Sequence, residues 1–504
     1  MEINPAITFK HDRSVMHAKR PKVLIVGGGI GGLALGAILQ KSDTPFEIFE
    51  RTPEVKPLGS ITSLSGAAAP LFKQLGIWDE FYSLTRELTA VQVVIPPSLE
   101  TQFVVAAPEN AIARYGAESR VLPRPMLHEL LLRQISKERV HLGKKVLSTQ
   151  QGGNGVIIRC TDGSEFEGDI LVGADGAYSA VRQNLYAQLK KENKLPASDG
   201  LPLPFMNVCL VGQTRKLTLE EFPDLAKPKS QFKNILCNDK PYAYTTFTTE
   251  QQTVCFAVLQ YLTTETSKEN DAFKNSEWGP GVAQTMCDEV RDFPIVSGGD
   301  KQLTLGDLFE WTPKDMISKV MLEEKVFKTW HGCRTVLLGD ACHKVTLKVE
   351  SGRAVEMNPS GGSGAVNAIH DAIVLANYIH ALPDHPVTED IKAAFVSYKQ
   401  ERITHVEHAF SASQAFRNMV DGGWKAKFMR QVVKNMPKWV NVAIEKRMLT
   451  NRPQVYFLPR DNTPAEMPAA PQPSLHLKRP EAKRPQKQEK DDGGVAAEES
   501  AEVI

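Results

Sequence analysis

The stretch Lys22–Glu50, KVLIVGGGIGGLALGAILQKSDTPFEIFE, decides the fold. An apolar run, KVLIVG, has the length and β-branched content of a buried strand; GGIGGLALGAILQKS follows with helical spacing; PFEIFE is again a strand. Strand, glycine turn, helix and strand in succession make one βαβ unit. Gly27, Gly29 and Gly32 form G-x-G-x-x-G at the opening of the helix. The first glycine permits the tight turn, the second lets a pyrophosphate approach the backbone, and the third lets helix and strand pack closely. Glu50 ends the second strand, 18 residues after Gly32, where a carboxylate can accept from a ribose diol. The unit therefore predicts an adenine-dinucleotide site. Val23–Leu39 is uncharged, but its six glycines suit a turn better than a bilayer span.

Outward from this unit, 504 residues call for two or three domains. A hydrophobic content of 42% and a formal net charge of +1 are those of an ordinary soluble protein and give no field for nucleic acid. Seven scattered cysteines without C-x-x-C spacing fit reduced thiols, and the first 20 residues, with Lys10, Arg13, Lys19 and Arg20, read as a loose arm without a secretory core. An intracellular, cytoplasmic location follows as an expectation.

Leu122–Ser136 is spaced as a helix, Asp169–Val172 reads as a buried strand ending in Gly173-Ala174-Asp175-Gly176, and Thr335–Leu338 as a second strand ending in Gly339-Asp340. Residues 200–325 alternate polar and β-branched side chains, which predicts antiparallel strands with one wet face and a sheet-based second domain. The fold class expected is α/β, α+β overall: a Rossmann-type domain over 21–199 (with part of the second domain near 80–110), completed by 326–400. A substrate-binding β-sheet domain occupies 200–325, a helical region 401–458, and a proline-rich and charged tail 459–504 reads as disordered.

The glycine motif alone admits NAD or FAD. DILVGADGAYSAVR (Asp169–Arg182) and TVLLGDACHK (Thr335–Lys344) resemble the Asp-Gly and Gly-Asp segments of the p-hydroxybenzoate hydroxylase-like group A flavin monooxygenases. The resemblance spans roughly residues 21–402 and is firm at four places; no second G-x-G-x-x-G marks a separate pyridine-nucleotide domain. It implies FAD as cofactor, NADPH or NADH as reductant, and transfer of one oxygen from O₂, through a flavin C4a-hydroperoxide, to a small-molecule substrate. It also implies that Asp340 accepts from the ribityl hydroxyls, and that Asp175 and Gly176 lie in the FAD and nicotinamide region. Arg124 in VLPRPMLHELL stands where the family has an FAD-contacting arginine, and Ser63 in GSITSLSG resembles its small-residue turn beside the ribityl chain. The helix in NPSGGSGAVNAIHDAIVLANYI, with Gly362, Gly364 and Ala365 at its start, resembles the one whose N-terminus points at the flavin ring.

Two features depart from that pattern. Val366 stands where many relatives have Asn, and Val345–Glu356 interrupts the Gly-Asp segment, as an extruded loop or an unspliced intron. No nucleophile is required of the protein, no metal is expected, and the catalytic residues are left unassigned; His343 reads as a packing or hydrogen-bonding residue. Phe232, Tyr242, Tyr244, Phe247 and Phe256 are candidates to line the substrate pocket, and equally core residues. Residues 424–447 are basic and amphipathic, a candidate for peripheral contact with an internal membrane or for docking on the protein body. A same-fold reductase that does not insert oxygen, or a non-catalytic flavin binder, is the alternative.

Overall fold

The structure is a computed structural model that describes residues 20–54, 61–96, 98–201, 205–237, 240–262, 280–323, 325–344, 363–420 and 438–480. The interruption 345–356, Gly362, and residues 424–437 of the basic stretch lie outside them. Strands Thr335–Leu337, Ile170–Gly173, Val23–Val26, Phe46–Phe49 and Val140–His141 lie side by side and parallel, with His331–Gly332 antiparallel at one edge. Val23–Val26 and Ile170–Gly173 are buried at every position, as continuous apolar runs must be when both faces of a parallel sheet are covered.

The helix Ile30–Leu39 has no polar face because it is enclosed all round. Glycines let it sit that deep: a Cβ on Gly36 would meet Ile48 Cδ1 at 2.7 Å, and one on Gly31 would meet Leu338 Cδ1 at 2.6 Å and Ala368 Cβ at 3.3 Å. The long helix Ser363–His380 lies against it, burying Ile369, Ala372, Ile373, Ala376 and Ile379. Helix 122–136 of the sequence reading is shorter, Arg124–Leu132, because Arg120–Pro123 pairs as a strand with Ile61–Leu64.

The second layer is a seven-stranded sheet in the order Ser318–Glu323, Phe205–Gln213, Val254–Tyr261, Tyr242–Thr248, Phe232–Leu236, Ala90–Val94 and Thr101–Ala106. The expected wet face is missing from the central strands: Phe232–Leu236 and Tyr242–Thr248 are buried throughout. Residues such as Ile235, Tyr244 and Phe256 pack outward under the helices Pro280–Val290 and Leu305–Glu310. Phe232, Leu236, Phe247 and Leu259 pack inward with Leu88 and Val121, toward the dinucleotide domain. Alternation along the chain thus separated two apolar environments, not core from water.

Of the tail expected over 459–504, residues 481–504 lie outside the described residues, and the described part differs from expectation. Residues 450–480 form a strap over the dinucleotide domain, without regular structure apart from a short turn at Pro473–His476. Side-chain amides act as its strand partners: Gln74 donates to Val455 O and accepts from Val455 N (2.9 and 2.8 Å), and Asn377 donates to Gln454 O and accepts from Tyr456 N (2.9 and 3.0 Å). Ser474 binds Glu401 through both its hydroxyl and its amide, and Phe457 stacks on His380 at 3.9 Å. Prolines and charges cannot build a core, but such polar pairing holds an extended chain without one. Helix Lys438–Leu449 docks through Glu445, which accepts from Arg114 at 2.8 Å, while Trp439 remains 73% exposed. Among the described residues no helix is long and apolar enough to cross a membrane. Truncation after Leu449 is expected to lower the thermal midpoint by several degrees, by exposing Gln74, Asn377 and Glu401 without partners; an unchanged midpoint in differential scanning fluorimetry would show the strap to be dispensable.

Candidate active site

The register of the parallel sheet brings four chain segments to one edge. Val26 is paired with Gly173 and with Phe49, and Gly173 with Leu337, so the residues that follow leave the sheet at the same level. Glu50, Gly27, Asp175 and Asp340 therefore stand in a row along the carboxyl ends of four adjacent strands. At roughly 4.8 Å per strand the row spans about 14 Å. Such a carboxyl edge is where open α/β sheets bind their ligands.

Each glycine of the motif has a distinct steric reason. Gly27 has φ of +111°, and a Cβ there would lie 2.3 Å from Ala174 O; a Cβ on Gly32 would lie 2.0 Å from Gly27 O. These two glycines let backbone approach backbone. A Cβ on Gly29 would meet nothing within 4 Å, so its face of the loop is open to a ligand. Glu50 buttresses the loop: one carboxylate oxygen accepts from Gly28 N at 2.7 Å, the other from the amide and hydroxyl of Thr52 at 3.0 Å each. His128 closes the loop from behind through a 2.7 Å hydrogen bond between Nε2 and Gly28 O. Burial holds its imidazole below the usual pKa, so the neutral ring donates to the carbonyl.

At the second turn Asp175 Oδ2 accepts from the amides of Ala180 and Val181 at 2.6 and 3.2 Å, capping helix Ala180–Lys191, and Gly176 supplies a φ of +81°. Asp175 Oδ1 is buried without a partner, and burial pushes this carboxyl up from its usual pKa. Ser179 caps the same helix by accepting from Arg182 N. The buried Arg182 donates to Ala177 O at 2.5 Å and to Ala341 O at 2.8 Å, tying the Asp175 turn to the Asp340 turn.

Asp340 is 43% exposed and faces Lys344 at 3.9 Å. Its turn, Gly339–Ala341, is held by Asp371, a fully buried residue of helix Ser363–His380. One oxygen of Asp371 accepts from Gly339 N (2.9 Å) and His343 Nε2 (2.6 Å), the other from Arg402 Nε (2.7 Å). Arg402 also donates to Asn367 Oδ1 at 2.9 Å. Burial alone would raise the Asp371 carboxyl, but His343 and Arg402 together hold it well below the usual range. His343 therefore serves to position the turn.

Of the other expected contacts, Gly364 and Ala365 lie in the first turn of helix Ser363–His380, and a Cβ on Gly364 would meet nothing within 4 Å. Arg124 opens its helix with an exposed side chain. Ser63 is buried with Oγ unpartnered; it pairs with Val121 and so faces the central sheet. Of the five aromatic candidates for the substrate pocket, only Phe232 and Phe247 face inward, stacked at 5.5 Å. Tyr242, Tyr244 and Phe256 point to the outer core, where the two tyrosines bond Glu289 and Pro294 O. The sequence reading did not single out His128, Asp371 or Arg402. A lone Asp within the buried stripe Ile369–Ile379 was the available signal for one of them.

Residues 20–213 match the model of an FAD-binding domain. The chain is 28% identical over 417 residues to the FAD-dependent monooxygenase ausM of Penicillium brasilianum, covering 79% of this chain and 80% of that one. It is 29% identical over 409 residues to the aurachin C monooxygenase/isomerase of Stigmatella aurantiaca, covering 81% and 91%. In fold it resembles HpxO of Klebsiella pneumoniae, solved with FAD and uric acid, at a TM-score of 0.61 and 18% identity over 85% of this chain and 96% of that one.

Two predictions follow from the geometry. Gly29→Ala should leave the thermal midpoint of the apoprotein unchanged while weakening FAD binding, whereas Gly32→Ala should lower both; equal effects on FAD and stability would refute the separate roles. Asp371→Asn should cost about 3 to 5 kcal/mol by leaving the buried Arg402 without its counter-charge. Because the Asp371 carboxyl is depressed in the folded state, its contribution is full above the unfolded carboxylate pKa of about 4 and drains away as pH falls below it. The variant should lose that acid limb, read from thermal midpoints between neutral pH and pH 3; an identical limb in both proteins would contradict the assignment.

Proposed function

We propose, from the premise that this chain belongs to the p-hydroxybenzoate hydroxylase-like FAD-dependent monooxygenases, that it uses NADPH or NADH and O₂ to hydroxylate or epoxidise a small aromatic or lipophilic substrate. The observation that carries the reading is the row of Glu50, Gly27, Asp175 and Asp340 along one sheet edge. The residues present fit FAD: an open loop face at Gly29, a carboxylate at the adenosine end, and a half-exposed carboxylate at the other.

The flavin, when bound, supplies the hydride acceptor and the oxygen-activating ring. In our reading Glu50 accepts from the adenosine ribose while it braces the loop, and the amides following Gly29 face the pyrophosphate. Asp340 accepts from the ribityl hydroxyls, its turn held in place by Asp371. The amino end of helix Ser363–His380, with Gly364 and Ala365, opposes negative charge on the ring. The inner face of the central sheet excludes water from the reacting side. The names of the relatives support oxygen insertion over the reductase alternative.

The test is oxygen uptake by the FAD-loaded chain with NADPH or NADH across phenols, polyketides and terpenoids. Substrate-stimulated uptake, matched mole for mole by a hydroxylated or epoxidised product, is expected. Reductant oxidation with no oxygen consumed would assign a reductase, and a chain that acquires no flavin spectrum would be non-catalytic.

A further inference from the structure

Among the described residues, the inner face of the central sheet carries one polar side chain that the fold leaves unanswered. Asn234 lies in the middle of strand Phe232–Leu236 with 0% exposure, and neither Oδ1 nor Nδ2 has a hydrogen-bond partner. Alternation places it with Phe232 and Leu236, which pack inward, and opposite Ile235, which packs outward. Its neighbours across the sheet are Val93 on one side and Thr245, then Ala257, on the other. The layer it faces is shared by Val121, the pairing partner of Ser63, whose buried hydroxyl also lacks a partner.

A buried amide with both groups unpaired costs more stability than an ordinary hydrogen bond returns, and a valine, the hydrocarbon side chain nearest to it in volume, would serve the apoprotein better. Asn234 therefore answers to something that enters this layer. We propose that Asn234 is the specificity-determining residue of the substrate site, taking a ligand that presents an N–H or O–H beside a carbonyl. A carboxamide offers one donor and one acceptor side by side, and a lactam or an enolised dicarbonyl matches both. Apart from the adjoining Thr245, the walls around it, Val93, Phe232, Leu236, Phe247 and Ala257, are apolar, so most of the remainder of the ligand is hydrocarbon. The inference rests on the reading above that the inner face of this sheet closes off the reacting side of the flavin. Asn234 is closed off from solvent, so the proposal requires the two layers to part as the ligand enters.

The test is calorimetric titration of the FAD-loaded full chain with 2-quinolone, whose lactam carries adjacent N–H and C=O, and with N-methyl-2-quinolone, which lacks the donor. The wild type should bind the lactam about tenfold more tightly than its methylated form. Asn234→Val should bring the ratio close to one, retain FAD, and raise the thermal midpoint, because an unpaired amide has been exchanged for hydrocarbon without overfilling the site. A purely structural asparagine would lower that midpoint. Equal affinities in the wild type, no binding of either compound, an unchanged ratio in the variant, or loss of its fold would each overturn the assignment. The ratio is read without turnover, so a chain that discriminates the two compounds but consumes no oxygen counts against the monooxygenase reading alone.

Discussion

The carboxylate of Asp371, buried between the Arg402 guanidinium, the His343 imidazole and a backbone amide, is the interaction on which the site's geometry depends. It joins the turn after strand Thr335–Leu337 to the helices Ser363–His380 and Thr388–Val420, three elements with no covalent reason to hold one another's angle. A buried ion pair is weak evidence for stability as such, since a well-packed hydrocarbon often does as well. What it adds here is direction. The hydrogen bonds fix Gly339, and through it the orientation of Asp340 at the sheet edge. Arg182 repeats the device one strand away, binding the Asp175 and Asp340 turns to each other through two carbonyls.

The sheet edge and the central sheet divide the work. The edge is built from backbone and carboxylates: glycines at 27 and 32 bring chain against chain, Gly29 leaves its face of the loop open, and Glu50, Asp175 and Asp340 follow the strand ends. The central sheet presents side chains, almost all apolar on the inner face. A nucleotide is recognised by its charge and its hydroxyls, which suits amides and carboxylates; a lipophilic substrate needs a dry wall with few polar points. The two unpartnered polar groups facing that layer, Ser63 Oγ and the Asn234 amide, are costs the fold carries without return from its own contacts.

The strap over residues 450–480 shows how composition misleads. Its prolines and charges describe a segment unable to form a core, and it forms none. It is held because Gln74, Asn377 and Glu401 on the body offer their side chains where a strand would have offered backbone. Such partners lie about 70 to 380 residues away in the chain, beyond the reach of any local pattern. The same holds for the central strands, whose alternation resembled a water-facing sheet and served two apolar layers instead.

From the sequence alone came the βαβ unit, the glycine positions and the carboxylates after three strands, because turn chemistry and strand length are local properties written within about thirty residues. The family resemblance extended this to the cofactor. Tertiary structure alone decided which partners those groups meet: that His128 closes the Gly28 carbonyl, that Asp371 and Arg402 orient the Asp340 turn, and that only Phe232 and Phe247 among the candidate aromatics face inward. These depend on which strand lies beside which and on which face of it is covered, quantities set by packing between segments far apart in the chain.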